Sequence, residues 1–317
     1  MGRSFAYERV LASSLRAQWE LDDVLPADQE LDFSLNFMPQ ALVRTAAVRQ
    51  LNLDEQRTLN HICAHQYLHY FRVVEEFVLP FVLDHARPML NQDDFRVRAL
   101  LNFACEEAKH IQLFRRFSEA FARGFPVKCA TAGSPERFQL KVLSHHPLAV
   151  ALTVLMIEWM SQAHYLESIR DDGDLDPLFK SLLKHHWMEE AQHAKLDALI
   201  AETLAEGRDE RELQQVMREF FQIASSLDAG LRVQAQLNVE ALQRAIGRSV
   251  PYPGRLIAQQ YAASRWTYLG SAMTHRMFQA TLESISPKGA AQVLDAVKRA
   301  GITPAPAKVE RVAVAAE

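Results

Sequence analysis

The stretch from Lys184 to His193 constrains the fold more than any other part of the chain: Lys-His-His-Trp-Met-Glu-Glu-Ala-Gln-His. On a helix at ~100° per residue, His186, Glu190 and His193 fall within an arc of about 60°. Two imidazoles and a carboxylate then project from one face, one turn apart, as a helix presents them to a transition metal. Upstream, Glu106-Glu107-Ala108-Lys109-His110 repeats the Glu-x-x-His half of the pattern. A single Glu-x-x-His arises often by chance and alone reads as a solvated surface pair. Here there are two, each on a long apolar helix, and each preceded by a helix with a carboxylate in its apolar stretch. That combination predicts an all-α bundle with two metals at its centre.

The chain is 317 residues long and 49% hydrophobic with only 11 glycines, enough apolar material for a sizeable core. Its net charge of -4 shows no basic stripe, which argues against a nucleic-acid partner. The apolar runs Leu148 to Met160 and Phe77 to Leu83 fall short of the ~20 residues that cross a bilayer, so no membrane role is expected. Three cysteines (Cys63, Cys105, Cys129), with no Cys-x-x-Cys and no secretory signal, predict a reduced, cytoplasmic setting. The apolar surplus is compatible with a homodimer.

An amphipathic helix is expected over Phe5 to Leu21, then an acidic irregular segment, Asp22 to Asp32, and a short helix near Pro39 to Leu51. Helix A begins with Asp54 as its N-cap and runs to about Ala86, with a kink expected at Pro80. Helix B runs from Asp93 or Asp94 to Gly124, and residues 124–143 form a polar connection. Helix C runs from Pro147 to Arg170, and helix D starts at Pro177 behind an Asp176 cap and ends before Gly207. Further helices are expected over 208–246, 254–284 and 287–299. Residues 1–300 read as one helical domain with its metal-binding bundle at 54–206, and 301–317 as a flexible tail.

Antiparallel neighbours must place their ligands at equal heights. Glu190 lies about 20 Å above Pro177, and Glu158 about 18 Å from the end of helix C, at ~1.5 Å per residue. Glu167 would miss that level by roughly 13 Å, so Glu158 is the candidate. Glu75 lies about 17 Å from Ala86 against about 20 Å from Asp94 to Glu107. It shares a face with Leu68, Phe71, Val78 and Val82, whereas Glu76 shares one with His65, His69 and Arg72. Glu75 is preferred, with Glu76 a rival. Four buried carboxylates would repel one another and take up protons unless two divalent cations neutralised them. Imidazole and carboxylate donors suit iron or manganese; Cys105 points about 160° from Glu107 and reads as packing. His65, His69, His164 and His185 read as hydrogen-bonded core histidines. Phe103, Phe114, Leu155, Trp159 and Met188 are candidates for a substrate cavity, although core packing is the better reading for any one of them.

The order Glu75, Glu107-x-x-His110, Glu158, Glu190-x-x-His193 resembles the ferritin-like di-iron carboxylate superfamily. The additional His186, four before Glu190, resembles the p-aminobenzoate N-oxygenase family, with His185 a second candidate for that histidine. The resemblance implies a ferritin-like four-helix bundle with additional N- and C-terminal helices. It also implies Glu75, Glu107 and His110 on one iron, and Glu158, His186, Glu190 and His193 on the other, with Glu107 and Glu190 between. Two iron ions are implied, Fe/Fe or Mn/Fe, with O2 as co-substrate, an external electron donor and a small organic substrate such as an aryl amine. The competing expectation is a ferritin-like ferroxidase or iron-handling protein, which the length and C-terminal helices disfavour. A radical-generating subunit is disfavoured by Phe114 where a tyrosine is needed, and a rubrerythrin-like role by the missing rubredoxin cysteines.

Overall fold

Local capping signals set most of the helix boundaries. The computed structural model describes residues 5–26, 29–92 and 94–304. The chain forms α1 (Tyr7–Ala17), α2 (Leu21–Val24), α3 (Gln40–Val43), α4 (Leu53–Ala86), α5 (Asp94–Gly124), α6 (Pro135–Leu143) and α7 (Pro147–His164). It continues through α8 (Pro177–Ala205), α9 (Glu210–Ile246), α10 (Pro253–Arg265), α11 (Ser271–Met273), α12 (Arg276–Ile285) and α13 (Pro287–Arg299). The described residues contain no strand; one isolated bridge joins Asn36 and Leu175.

α4 starts on a reciprocal cap in which Asn52 Oδ1 accepts from the Glu55 amide and Glu55 Oε2 accepts from the Asn52 amide, both at 3.0 Å. The cap is thus Asn52 rather than the expected Asp54, because Glu55 stands three residues after Asn52 and closes the box. α4 continues through Pro80 without a break. α8 begins as expected, with Asp176 Oδ1 accepting from the Phe179 amide at 2.7 Å and Pro177 at the first position. The helix expected near residues 39–51 is shorter: Arg44, at φ 53°, takes the left-handed conformation and ends α3 after one turn. Helix C is α-helical to His164 and then makes a π turn, Tyr165–Ile169. The helix expected over 254–284 is interrupted at Thr274, after a second π turn at Trp266–Gly270. The connection expected over 124–143 contains α6, announced by Ser134, whose hydroxyl accepts from the Arg137 amide, and by Pro135 at the first helical position. The tail expected from residue 301 lies mostly outside the described residues.

α4 packs along α5 and α7 along α8, while α5 meets α8; these four helices form the ferritin-like bundle. α9 lies against α4 and α7, α1 crosses α5 and α8, and α10, α12 and α13 close the far side. The bundle interior is a continuous apolar cluster in which Phe103, Phe114, Phe117, Phe121 and Phe179 are fully buried.

Asn60, fully buried on α4, clamps the N-terminal segment to the bundle. Its Oδ1 accepts from the Phe37 and Met38 amides at 2.9 and 3.0 Å, and its Nδ2 donates to the Met38 carbonyl at 2.7 Å. Asn60→Ala leaves three backbone groups unpaired, at about 1–3 kcal/mol each. We expect a loss of about 3 kcal/mol or more, read as a lower denaturation midpoint at unchanged slope. A shift under about 1 kcal/mol would mean that water replaces the clamp.

Candidate metal centre

The two Glu-x-x-His motifs face each other across the α5–α8 contact. Donor atoms of Glu107, His110, Glu190 and His193 lie within 4.8 Å of one another, and so do those of Glu75, His110, His186 and Glu190. All six residues are at most 3% exposed. His186 Nε2 stands 3.0 Å from Glu75 Oε1 and 2.8 Å from Glu190 Oε1. Glu75 thus joins the cluster from α4. Glu76 instead accepts from Gln139 Nε2 at 2.7 Å and pairs with Arg72, so it faces α6. His185 points elsewhere too, its Nδ1 donating to the Ser181 carbonyl at 2.8 Å. Glu158 is buried on α7 at 2% exposure but stands outside both donor groups. His186 falls with Glu75 in the structure, whereas the resemblance implied that it belongs with Glu158 and His193.

The imidazoles are held in crossed fashion. His110 on α5 donates from Nε2 to Glu189 on α8 at 2.9 Å. His193 on α8 donates from Nε2 to Glu106 on α5 at 2.9 Å. Each motif's preceding glutamate therefore orients the histidine of the other motif. These donations keep a proton on Nε2 and turn Nδ1 inward, where it becomes a ligand once its own proton leaves. Glu106 is fixed in turn by Ser14 Oγ at 2.6 Å and Asn102 Nδ2 at 3.0 Å, and Glu189 by Lys109 Nζ at 2.5 Å. Lys109 also donates to the Trp19 carbonyl at 3.0 Å and lies 4.0 Å from the centre of its ring. Sequence reasoning missed this outer layer. The Glu-Glu doublets at 106–107 and 189–190 were its visible trace, but which histidine each would reach depends on how the helices pair.

The inward atoms fit a pair of metals. His193 Nδ1 is 2.9 Å from Glu107 Oε1 and His110 Nδ1 is 3.1 Å from Glu190 Oε1, yet none of these four atoms has a partner of hydrogen-bond geometry. Glu107 Oε2 and Glu75 Oε2 are likewise buried without one. Converging buried donors without partners inside the protein fit bound cations. Carboxylates and imidazoles in this ratio suit iron or manganese.

Protonation reflects the same crowding. Burial, and then the neighbouring Glu75 charge, push the Glu107 carboxyl up to about 8. Burial opposes charge on His110 and His193, but the surrounding carboxylates outweigh it and hold both well above the ordinary histidine value. For His186 burial prevails and lowers it to about 4. Asp197, fully buried one turn beyond His193 with both oxygens unpartnered, is pushed well up, chiefly by burial. Metal ligands must be deprotonated, so loading at pH 7 should release protons from Glu107, His110 and His193. Affinity should rise with pH by roughly tenfold per unit for each proton released. All three groups bind protons more tightly folded than unfolded. The stability they lend the metal-free protein is therefore full at low pH. It declines as pH rises, for Glu107 from its ordinary 4.5 towards 8 and for the histidines above about 6.5. Calorimetric titration with Mn(II) in two buffers of different ionisation enthalpy checks this; an identical heat in both would mean that no proton leaves.

The remaining sequence candidates pack the core. Phe103 stacks on His193 at 4.1 Å, Phe114 lies 4.9 Å from His186, and Trp159 stacks on His275 at 5.4 Å. His164 is the bonded core histidine expected, between Tyr67 Oη at 3.2 Å and the Thr267 carbonyl at 3.1 Å.

Paired helices that converge two Glu-x-x-His motifs and a third glutamate on one buried point define a ferritin-like di-metal carboxylate protein. Residues 7–247 match the family described as p-aminobenzoate N-oxygenase AurF, and the chain belongs to that family. Among solved structures, an Fe/Fe form of an R2-like ligand-binding oxidase matches at 16% identity and a TM-score of 0.46, covering 84% of this chain and 94% of its own. A Mn/Fe form matches at 16% identity and 0.48, covering 90% and 95%. No curated protein matches. No described helix is long and apolar enough to cross a membrane.

Proposed function

We propose that this chain is a non-haem di-iron oxygenase that uses O2 to oxidise a small organic substrate, with an aryl amine nitrogen as the preferred target. The observation that carries the reading is the set of unpartnered inward donors on Glu75, Glu107, His110, Glu190 and His193 within a chain of this family. We assign the metal ligands as Glu75, Glu107, His110, Glu158, His186, Glu190 and His193, with Glu158 included for its buried place on α7 although it stands outside the two donor groups. Bound iron would supply reducing equivalents to O2 and a Lewis-acidic centre. The protein's part is geometric and electrostatic. Glu106 and Glu189 fix the imidazole tautomers, and the cluster's carboxylates set its charge. Phe103 and Phe114 keep water from the histidine faces. Sustained turnover requires an external electron donor.

The test is anaerobic loading with Fe(II), metal analysis, then exposure to O2 with p-aminobenzoate and a panel of anilines. Two irons per chain and N-oxygenated products by mass spectrometry are expected. Iron oxidation far beyond two per chain, with every amine unchanged, would instead make this an iron-handling protein.

A further inference from the structure

A mostly apolar cavity of about 510 Å³ lies to one side of the donor cluster and does not open on it. It is bounded by α4, α6, α7 and α9, with Val73 and Phe77 on its α4 wall and Met156 on its α7 wall. Val73 and Phe77 each stand two residues from Glu75, which turns the Glu75 side chain about 160° away from that wall. Met156 stands in the same relation to Glu158, so the bodies of two helices separate the cavity from the donors.

Protein interiors hold few voids larger than a water molecule, so a space of this size is not a packing fault. It falls in the range of small-molecule sites, about 300–1,000 Å³. Its walls are aromatic and aliphatic and no carboxylate lines it. Two cations, Arg137 and Lys141, stand one turn apart on α6 at its edge. Lys141 Nζ reaches across to Ser226 Oγ on α9 at 2.8 Å, and Arg137 has no ion-pair partner among the described residues. The nearby acids are engaged elsewhere: Glu136 with Ser134, and Glu76 with Arg72 and Gln139.

We propose that this cavity is a second binding site, for an amphipathic organic anion whose apolar body fills the space under α6 and whose charged end meets Arg137 and Lys141. The site is independent of the metals and of the oxygenase reading.

The probes are octanoate and octan-1-ol, titrated calorimetrically into the full chain, both metal-free and loaded with Mn(II). One equivalent of octanoate should bind both forms alike. The Arg137→Gln/Lys141→Gln variant changes only exposed side chains, so its folding is secure. It should weaken octanoate at least tenfold and leave octan-1-ol within twofold. Ala224→Phe, which fills the cavity from α9, should weaken both probes at least tenfold with metal uptake intact. Octanoate binding only to the loaded form would place the carboxylate on the metals and overturn the proposal. So would octanoate affinity indifferent to the charge variant, or undiminished in Ala224→Phe.

Discussion

Glu190→Ala is expected to take the chain from two bound metals to one or none and to abolish O2-dependent product formation. Glu190 and His110 are the residues common to both donor groups, and of the two only the carboxylate can bridge a pair of ions. Removing it would take a donor from both groups at once and leave one fewer negative charge to hold two divalent cations. Stability should register the same loss. A ligand that binds only the folded state stabilises by about 2.7 kcal/mol at one hundred times its dissociation constant, so Mn(II) should raise the melting temperature of the unaltered chain. The variant should show little or none of that rise. Its metal-free form should suffer less, because His110 and His193 can shed a proton rather than remain as unpaired buried cations. Two metals per chain and an undiminished thermal shift would reduce Glu190 to a bystander and undo the proposed site.

The second large effect is expected from the crossed pair that holds the imidazoles. Glu106→Ala and Glu189→Ala should each weaken metal binding by about 10–100-fold, the range for partners that orient metal-bound histidines. Each frees an Nε2–H that is buried and hydrogen-bonded at 2.9 Å, so the ring gains rotational freedom and its tautomer is no longer fixed. The two glutamates hold different histidines through different neighbours, Ser14 and Asn102 for Glu106 and Lys109 for Glu189. The losses should therefore multiply in the double variant. Glu106→Gln and Glu189→Gln keep a carbonyl acceptor and should recover most of the affinity, which a purely electrostatic role would not permit. Metal titrations of the five variants decide it. Single-variant losses under twofold would show that packing, such as Phe103 on His193, orients the rings without the carboxylates.

What could be read from the chain alone was what a single helix determines. The 3.6-residue period places His186, Glu190 and His193 on one face whatever surrounds them, and Asp176-Pro177 starts α8 by a local hydrogen bond. Equal rise along antiparallel helices nominated both Glu75 and Glu158, of which Glu75 joins the donor groups and Glu158 stands outside them. Local rules failed where two capping residues competed, and Asn52 took the start of α4 from Asp54 because Glu55 could answer it. Tertiary structure alone decided the rest. Glu75 and Glu76 differ by only ~100° on one helix. What sends Glu76 outward is Gln139, on a helix hidden in what read as a polar connection. Likewise Glu106 and Glu189 could not be assigned from their own helices, since each serves a histidine on the other. The N-terminal segment gave no sign of a role, yet α1 brings Ser14 to Glu106 and the following turn brings Trp19 over Lys109. A helix carries its ligands in its own period, but the partners that orient them come from segments about 80 or 90 residues away, and only packing brings those together.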